Sequence, residues 1–300
     1  MPHLPFAPDI NPIFGWILAS LAVLLLGIAK SGFGGGVGIV AVPMFALAFG
    51  AQRGTAILLP LLLATDIFSV YHHWGKWDKP LLKILAPGTL AGIALGSVIL
   101  WIIVCGPIWP WHFDWSQWHS AAPTTQAKAT QANSANALNL ITGIVSILYI
   151  ILDFIRLRLA PKWHFKPNQA TGFVAGASVG VISTLAHAAG PVVTIFLLGT
   201  GLSRVGFMGT TVIYFFAINT VKLIPYTAIP GLTDWQTVQA GLWLIWLAPV
   251  GTWIGKWLCD RLSETLFRNI ILIIVFISGA QLVFESLTGI KLVTLFSGHG

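Results

Sequence analysis

The sequence predicts an all-α polytopic membrane protein, with about ten helical segments in two inverted repeats and short broken helices at the centre. Three observations support this prediction. The 300 residues are 56% hydrophobic and only 8% charged, whereas soluble domains carry about 25% charged residues. Long apolar runs alternate with polar or Gly/Pro breaks, and the basic residues lie mostly between the runs. A water-soluble core of this size cannot bury so much apolar surface, so lipid is the expected solvent.

Ten apolar segments follow one another along the chain. Lipid offers no partners for backbone N–H and C=O groups, so each segment is predicted to be helical. Eight segments approach the length needed to cross a hydrocarbon core of about 30 Å, and two are shorter. The segments are 13–30, 36–50, 55–73, 81–104, 137–157, 169–187, 191–201, 206–228, 237–258 and 266–287.

The basic residues predict the orientation of the chain. If every segment crosses, twelve of the 16 Lys and Arg residues fall on one side, and the positive-inside rule makes that side the cytoplasm. Re-entrant segments at 36–50 and 191–201 would mix the basic groups between the two sides. The sequence therefore predicts both termini on the periplasmic side of a bacterial-type cell inner membrane. The net charge of +7 is explained by topology, and no nucleic-acid-binding module is visible.

A long loop, 105–136, is also predicted to be periplasmic. It begins with several Trp and His residues and then becomes polar. This composition suits an aromatic belt at the membrane interface. The alternative is a lid over an outward-facing entrance.

Residues 13–157 form the predicted first membrane repeat, and residues 169–287 form the second. A proline shortly precedes Gly-Thr-x-x-Gly in both halves, at Pro87 and at Pro249. Each half also has a Gly-containing break, then a short helix and a basic residue, Arg53 or Arg204. Five segments in each half give the halves opposite orientations. Inverted repeats with broken helices are a common plan of secondary transporters.

The two breaks are the candidate functional regions. One contains Gly34, Gly35 and Gly36, and the other contains Ala189-Gly190 before Pro191. The helices that follow rise only about 22 and 16 Å, so each is predicted to begin inside the membrane. Inverted symmetry directs both N-termini to one central cavity, where unpaired N–H groups and positive dipole ends form an anion site. Other glycines are assigned to close helix packing, namely Gly92, Gly96, Gly176 and Gly180.

Polar residues near the breaks complete the predicted site. Lys30 suits either an oxyanion partner or a snorkelling position at a helix end. His187 suits an anion donor, a proton carrier or a neutral ring bound to backbone. The predicted substrate-binding residues are Lys30, Ser31, Gly34, Gly35, Gly36, His187, Ala189, Gly190, Thr210 and Asn219. No metal site and no cofactor are predicted.

Ionisable residues inside predicted spans are functional candidates by default. Asp66 and His187 are the candidates for proton or ion coupling, and a structural salt bridge from Asp66 to Lys30 is the alternative for Asp66. Lys222 lies near enough to the outer end of its segment to snorkel.

Three further polar positions have local interpretations. Asn219 either hydrogen-bonds across helices or binds ligand. Thr210 and Thr211 either line the cavity or bond to their own helix backbone. Asp153, one turn before Arg156, is predicted to form a surface ion pair with it.

These motifs resemble the TauE/SafE family of sulfite exporters and organosulfonate permeases, which includes 4-toluenesulfonate uptake permease-like proteins. The resemblance covers roughly 13–287 and is carried by residues 29–36, 58–66, 186–191 and 219–226. It implies a small sulfur-containing anion as substrate, such as sulfite, sulfoacetate or an aryl sulfonate. The second break, Ala188-Ala189-Gly190, departs from the Gly-Gly-Gly form frequent in the family.

The predicted function is secondary transport of an organosulfonate or sulfite by alternating access. A passive anion channel with the same site is the main alternative. A membrane-embedded enzyme is a third, because Ser183 and His187 share a helical face. No acid partner for this Ser–His pair is evident, and the sequence has no His-Glu-x-x-His motif, so the chain is expected not to be an enzyme. The expected partners are a small anionic substrate and the lipid bilayer.

Overall fold

The fold is known from a computed structural model that describes residues 6–7, 10–32, 40–105, 125–159, 167–259, 261 and 264–290. Gly34, Gly35, Gly36 and residues 106–124 of the long loop lie outside the described residues. Within the described ranges the chain forms α-helices and no strands, which confirms the all-α class. The helices are α1 (Pro12–Gly32), α2 (Ala41–Phe49), α3 (Ala51–His72), α4 (Lys79–Cys105), α5 (Thr125–Leu159), α6 (Gln169–Ala186), α7 (Gly190–Leu198), α8 (Arg204–Ala228), α9 (Trp235–Leu244), α10 (Leu247–Cys259) and α11 (Glu264–Thr288).

The predicted segment 237–258 is divided into two helices, α9 and α10. The interruption falls at Ile245 and Trp246. Pro249 explains it, because a proline has no N–H for the carbonyl four residues earlier and its ring crowds that carbonyl. The carbonyl concerned is that of Ile245, which accepts instead from the Ala248 N–H at 3.1 Å.

Seven helical stretches are long and apolar enough to cross a membrane, within the part of the chain that the structure describes. Helix α1 adds a shorter apolar stretch, Pro12–Ile28. Helices α2 and α7 have nine residues each, so each rises only about 13 Å. Many large apolar side chains are exposed on the outer surface, including Ile13, Leu95, Trp246, Trp253, Ile273 and Phe276. Such a surface suits lipid rather than water, and the chain is a multi-pass membrane protein.

Helices α4 and α6 pack with their backbones in direct contact. A Cβ atom at Gly92 would lie 2.2 Å from the carbonyl oxygen of Ala177, and one at Gly176 would lie 2.3 Å from that of Leu85. Added Cβ atoms at Gly96 and Gly180 would also meet the opposite helix, at 3.0 and 2.5 Å. The predicted packing role of these four glycines is confirmed.

A similar contact joins α1 and α10. A Cβ atom at Gly27 would lie 2.8 Å from the Ala248 carbonyl oxygen, and one at Gly251 would lie 2.6 Å from that of Leu24. Thus the first helix of each half packs on the fourth segment of the other half. Helix α3 packs on α8, and α5 packs on α11. These contacts position the two halves around a common centre.

Asp153 belongs to the contact between α5 and α11. Its side chain is buried, and Arg268 Nε donates to its Oδ2 at 2.8 Å. The prediction that Asp153 lies at the surface is therefore wrong. The side chain of Arg156, its predicted partner, lies outside the described residues.

Candidate functional site

A cavity lies between the two halves, enclosed by α1, α2 and α3 from one half and by α6, α7 and α8 from the other. Its empty volume is about 760 Å³, a figure that includes space open to solvent at its mouth. The apolar lining consists of Leu26, Val42, Leu58, Leu62, Met208, Val212 and Phe215. The polar lining consists of Lys30, Asp66, Ser69, Ser183, His187, Thr211 and Asn219.

Both short helices begin at this cavity. Val42, the second residue of α2, and Gly190, the first residue of α7, line it. Pro191 follows Gly190, a position where the missing N–H of proline has no helical partner to lose. The positive ends of two helix dipoles are therefore close to the cavity.

The first polar cluster joins α1, α3 and α8. Lys30 Nζ forms an ion pair with Asp66 Oδ1 and donates to the Leu62 carbonyl at 3.2 Å. Asn219 Nδ2 donates to Asp66 Oδ2 at 2.7 Å. Asp66 is only 2% exposed, so these two donors replace the water that its carboxylate has lost. The predicted salt bridge between Lys30 and Asp66 is confirmed.

The second polar cluster is built around Lys222, which is fully buried in α8. Its Nζ donates to Ser183 O at 2.8 Å and to Ser183 Oγ at 3.0 Å, and lies 2.6 Å from His187 Nδ1. The prediction that Lys222 snorkels outward is wrong, because its ammonium group turns inward to α6. Asn219, Lys222 and Tyr226 have helical spacing on one face of α8. This spacing is the sequence signal that indicates an inward-facing Lys222.

His187 ends α6 in the left-handed conformation, with φ 48°. Its Nε2 lies 3.0 Å from the carbonyl oxygen of Thr55 in α3. A carbonyl oxygen only accepts hydrogen bonds, so the network assigns a proton to Nε2 and leaves Nδ1 to accept from Lys222. Tyr226 Oη lies 3.2 Å from the same Nε2 and donates to Thr184 O at 2.7 Å. The imidazole is therefore neutral and held on both sides.

The two clusters repeat one arrangement. Lys30 and Asp66 are 36 residues apart, and His187 and Lys222 are 35 residues apart. In each half, a residue at the end of the first helix contacts an ionisable residue in the long helix after the break. The separation of about 35 residues is therefore a sequence feature of both pairs, but it can be recognised only after the pairs are known.

A family model described as Sulfite exporter TauE/SafE matches residues 19–282. The chain belongs to this family. The matched range includes every residue that lines the cavity, so the cavity is part of the family's shared domain. Comparisons with curated proteins and with solved structures found no match. The predicted family is confirmed, and the protein belongs to a family of membrane transporters.

Four of the predicted TauE/SafE site residues meet at the cavity, namely Lys30, His187, Gly190 and Asn219. Ala189 is buried at the start of α7 without being among the lining residues. Thr210 Oγ1 accepts from the Asp78 N–H at 2.9 Å, and its neighbour Thr211 lines the cavity. The side chain of Ser31, like Gly34, Gly35 and Gly36, lies outside the described residues.

Thr211 and Ser183 line the cavity but are not among the predicted substrate-binding residues; for Thr211, a lining position is one of the two predicted alternatives. Thr211 is 3% exposed, and its Oγ1 has no hydrogen-bond partner in the described part of the chain. Ser183 Oγ accepts from Lys222, and among the described residues no acceptor is seen for its own hydrogen. Both groups are able to donate to a ligand oxygen. The ammonium group of Lys222 contacts both Ser183 and His187, the two residues considered for enzyme chemistry.

Proposed function

We propose that this TauE/SafE protein is a secondary transporter that moves an organosulfonate or sulfite through the cavity by alternating access. One observation carries the proposal: two lysines and one buried carboxylate lie at the cavity or directly beside it. Lys30 and Asp66 line the cavity as an ion pair, and the fully buried Lys222 contacts two lining residues, Ser183 and His187. Charge is costly inside a membrane unless it is compensated. A transported anion supplies the missing negative charge.

Lys222 has no carboxylate in direct contact among the described residues. Its Nζ contacts Ser183 O, Ser183 Oγ and His187 Nδ1, none of which carries a formal charge. Lys30, in contrast, is already paired with Asp66. The site therefore has an excess of positive charge that attracts an anion through a low-dielectric medium, where Coulomb interactions are strong.

The donors around the cavity suit a sulfur oxyanion. A sulfonate or sulfite presents three oxygens, each able to accept hydrogen bonds. Ser183 on α6 and Thr211 on α8 offer hydroxyl donors, and Gly190 brings the N-terminus of α7 to the same space. We propose that Ser31, Gly34, Gly35 and Gly36 also bind the substrate.

We further propose that residues 13–157 and 169–287 are two inverted repeats, and that opposed helix bundles rock about the central site. The exchanged packing of α1 on α10 and of α6 on α4 supports bundles that each contain helices from both repeats, and the cavity is lined by three corresponding helices from each half. Binding near the centre of two such halves is the usual plan for alternating access. The distribution of basic residues supports placing both termini outside a cell inner membrane.

The Lys222→Met variant tests the site. We expect it to lower uptake of radiolabelled toluene-4-sulfonate or sulfite into proteoliposomes at least about tenfold at low substrate concentration. The reason is that a lost hydrogen-bonded charge costs about 1.5–3 kcal/mol, and 1.4 kcal/mol corresponds to about a factor of ten. Lys79→Met removes a charge from an exposed position at the start of α4 and is the matched control.

Uptake by Lys222→Met equal to that of Lys79→Met would contradict the proposed site. The same vesicles separate a carrier from a channel. A carrier saturates and exchanges labelled substrate faster when unlabelled substrate is present on the far side. Uptake that rises linearly with concentration and shows no such acceleration would favour the passive channel.

A further inference from the structure

We propose that Asp66 competes with the transported anion for the same hydrogen-bond donors, so that each anion crosses together with a proton carried by Asp66. The inference rests on the proposed transport function and adds the coupling ion to it. It makes this protein a proton–anion symporter. The geometry around Asp66 carries the argument.

Both oxygens of Asp66 occupy donors that face the cavity. Oδ1 accepts from Lys30 and Oδ2 accepts from Asn219, and all three side chains line the cavity. A carboxylate and a sulfur oxyanion seek the same kind of donor. In the empty protein Asp66 is therefore an internal substitute for the substrate, and an anion that takes over these same hydrogen bonds displaces it.

A displaced carboxylate beside a bound anion is unfavourable, because two negative charges then share a buried site. Protonation removes this conflict. The proton passes from water to an Asp66 oxygen, the carboxylate becomes a neutral carboxyl, and Lys30 and Asn219 turn to the anion. One proton and one monovalent anion enter together: the proton neutralises Asp66, and the anion replaces its carboxylate as the negative group beside the lysines. By linkage, the proton and the anion raise each other's affinity by the same factor.

The charged neighbours of Asp66 favour this exchange. Lys30 faces it from α1, and Asn219 and then Lys222 lie on α8. Helices α2 and α9, which also pack on α3, contain no titratable residue. No second carboxylate is seen at the cavity among the described residues.

Helices α5 and α10 also pack on α3, and their titratable side chains either are buried or ion-paired or lie outside the described residues. In α5, Tyr149 is buried and Asp153 is paired with Arg268. In α10, the side chains of Lys256 and Cys259 lie outside the described residues.

His187, the other candidate for proton coupling, is unsuited to carry an additional proton. Its Nε2–H is bound to Thr55 O, and its Nδ1 accepts from Lys222 at 2.6 Å. A second proton on the ring would bring two positive charges into contact and remove the acceptor of Lys222. Protonation of Asp66, in contrast, lets Lys30 exchange one negatively charged partner, the carboxylate, for another, the anion.

The test measures proton and anion movement in the same proteoliposomes. Labelled toluene-4-sulfonate, whose charge does not change with pH, reports the anion, and pyranine trapped inside reports protons. We expect the wild type to acidify the lumen as the anion enters, and an imposed inward proton gradient to drive accumulation. Because the proton and the anion raise each other's affinity, the anion affinity of the wild type should fall as the pH rises.

Any anion exchange that remains in Asp66→Asn should be independent of pH, and the variant should lose both proton uptake and gradient-driven accumulation. Asp66→Glu should retain coupling. Asp153→Asn also removes a buried, paired carboxylate, at the α5–α11 contact away from the cavity, so it is the matched control for lost stability and should retain proton coupling. If the protein moves only sulfite, sulfite itself binds or releases protons as it changes compartment. The number of protons moved per sulfite is then compared between wild type and Asp66→Asn, because this background is the same in both.

Wild-type uptake without proton movement overturns the coupling and leaves the proposed transport function intact. Proton movement that persists in Asp66→Asn also overturns it. If Asp66→Asn does not fold, the wild-type measurement decides the question. If neither toluene-4-sulfonate nor sulfite is moved by the wild type, the proposed function fails, and this inference fails with it.

Discussion

Lys30→Met is expected to lower the free energy of unfolding by about 3–5 kcal/mol, the usual cost of leaving one member of a buried ion pair without its partner. Asp66 is 2% exposed, and the side chain of Lys30 is 11% exposed. Without Lys30, the carboxylate retains Asn219 as its donor and loses its contact cation. The measurement is unfolding by SDS in mixed micelles, followed by circular dichroism.

The double variant Lys30→Met/Asp66→Asn separates charge from packing in this experiment. It removes both charges, so most of the lost stability should return, although transport should remain low because the anion loses a partner. A double variant as unstable as Lys30→Met alone would show that the methylene chain of Lys30 matters more than the ion pair. Lys79→Met, exposed at the start of α4, provides the baseline for loss of a lysine.

Gly92→Ala is expected to prevent stable association of α4 with α6. The added Cβ would lie 2.2 Å from the Ala177 carbonyl oxygen, and a backbone atom within a helix has no rotamer by which to move away. Overpacking usually costs about 1–3 kcal/mol, and contact with backbone puts this substitution at or above that range. We expect little monodisperse protein by size-exclusion chromatography, and a lower midpoint of thermal unfolding for any that is recovered.

Gly206→Ala is the matched control for this substitution. Gly206 is also helical, but its added Cβ would meet Ser203 Oγ at 3.3 Å and Leu202 Cδ2 at 3.7 Å, both of them side-chain atoms. Near-normal yield and stability of Gly206→Ala beside a failed Gly92→Ala would support the close α4–α6 contact. Equal behaviour of the two variants would argue against it.

The positions of the membrane segments were predictable from the sequence because the cost of placing a residue in lipid is a property of that residue and its near neighbours. Nine of the ten predicted segments each correspond to a single helix. The tenth contains α9 and α10, and Pro249 in the first turn of α10 explains the interruption between them. A proline at this position predicts either a kink or a break in the helix, and the length of the apolar segment does not distinguish the two.

The partners of the buried charges were predicted less well. The Lys30–Asp66 pair was among the alternatives, whereas Lys222 was placed at the membrane surface and Asp153 on the exposed face of its helix. Both errors concern the direction in which a side chain points around the helix axis. Position along a segment is readable from hydropathy, but rotation depends on which neighbouring helix is in contact.

For this protein, the sequence by itself determined a membrane chain of apolar helices, two breaks with small residues, the TauE/SafE family and the presence of ionisable groups near its centre. The tertiary structure decided which of those groups meet: Lys30 with Asp66, and Lys222 with Ser183 and His187. These partners are about 35 residues or more apart, on helices whose rotation is set by glycine contacts such as those of Gly27 and Gly92. Transfer to lipid is a local free energy, whereas a buried ion pair depends on distances that only the packed helices define.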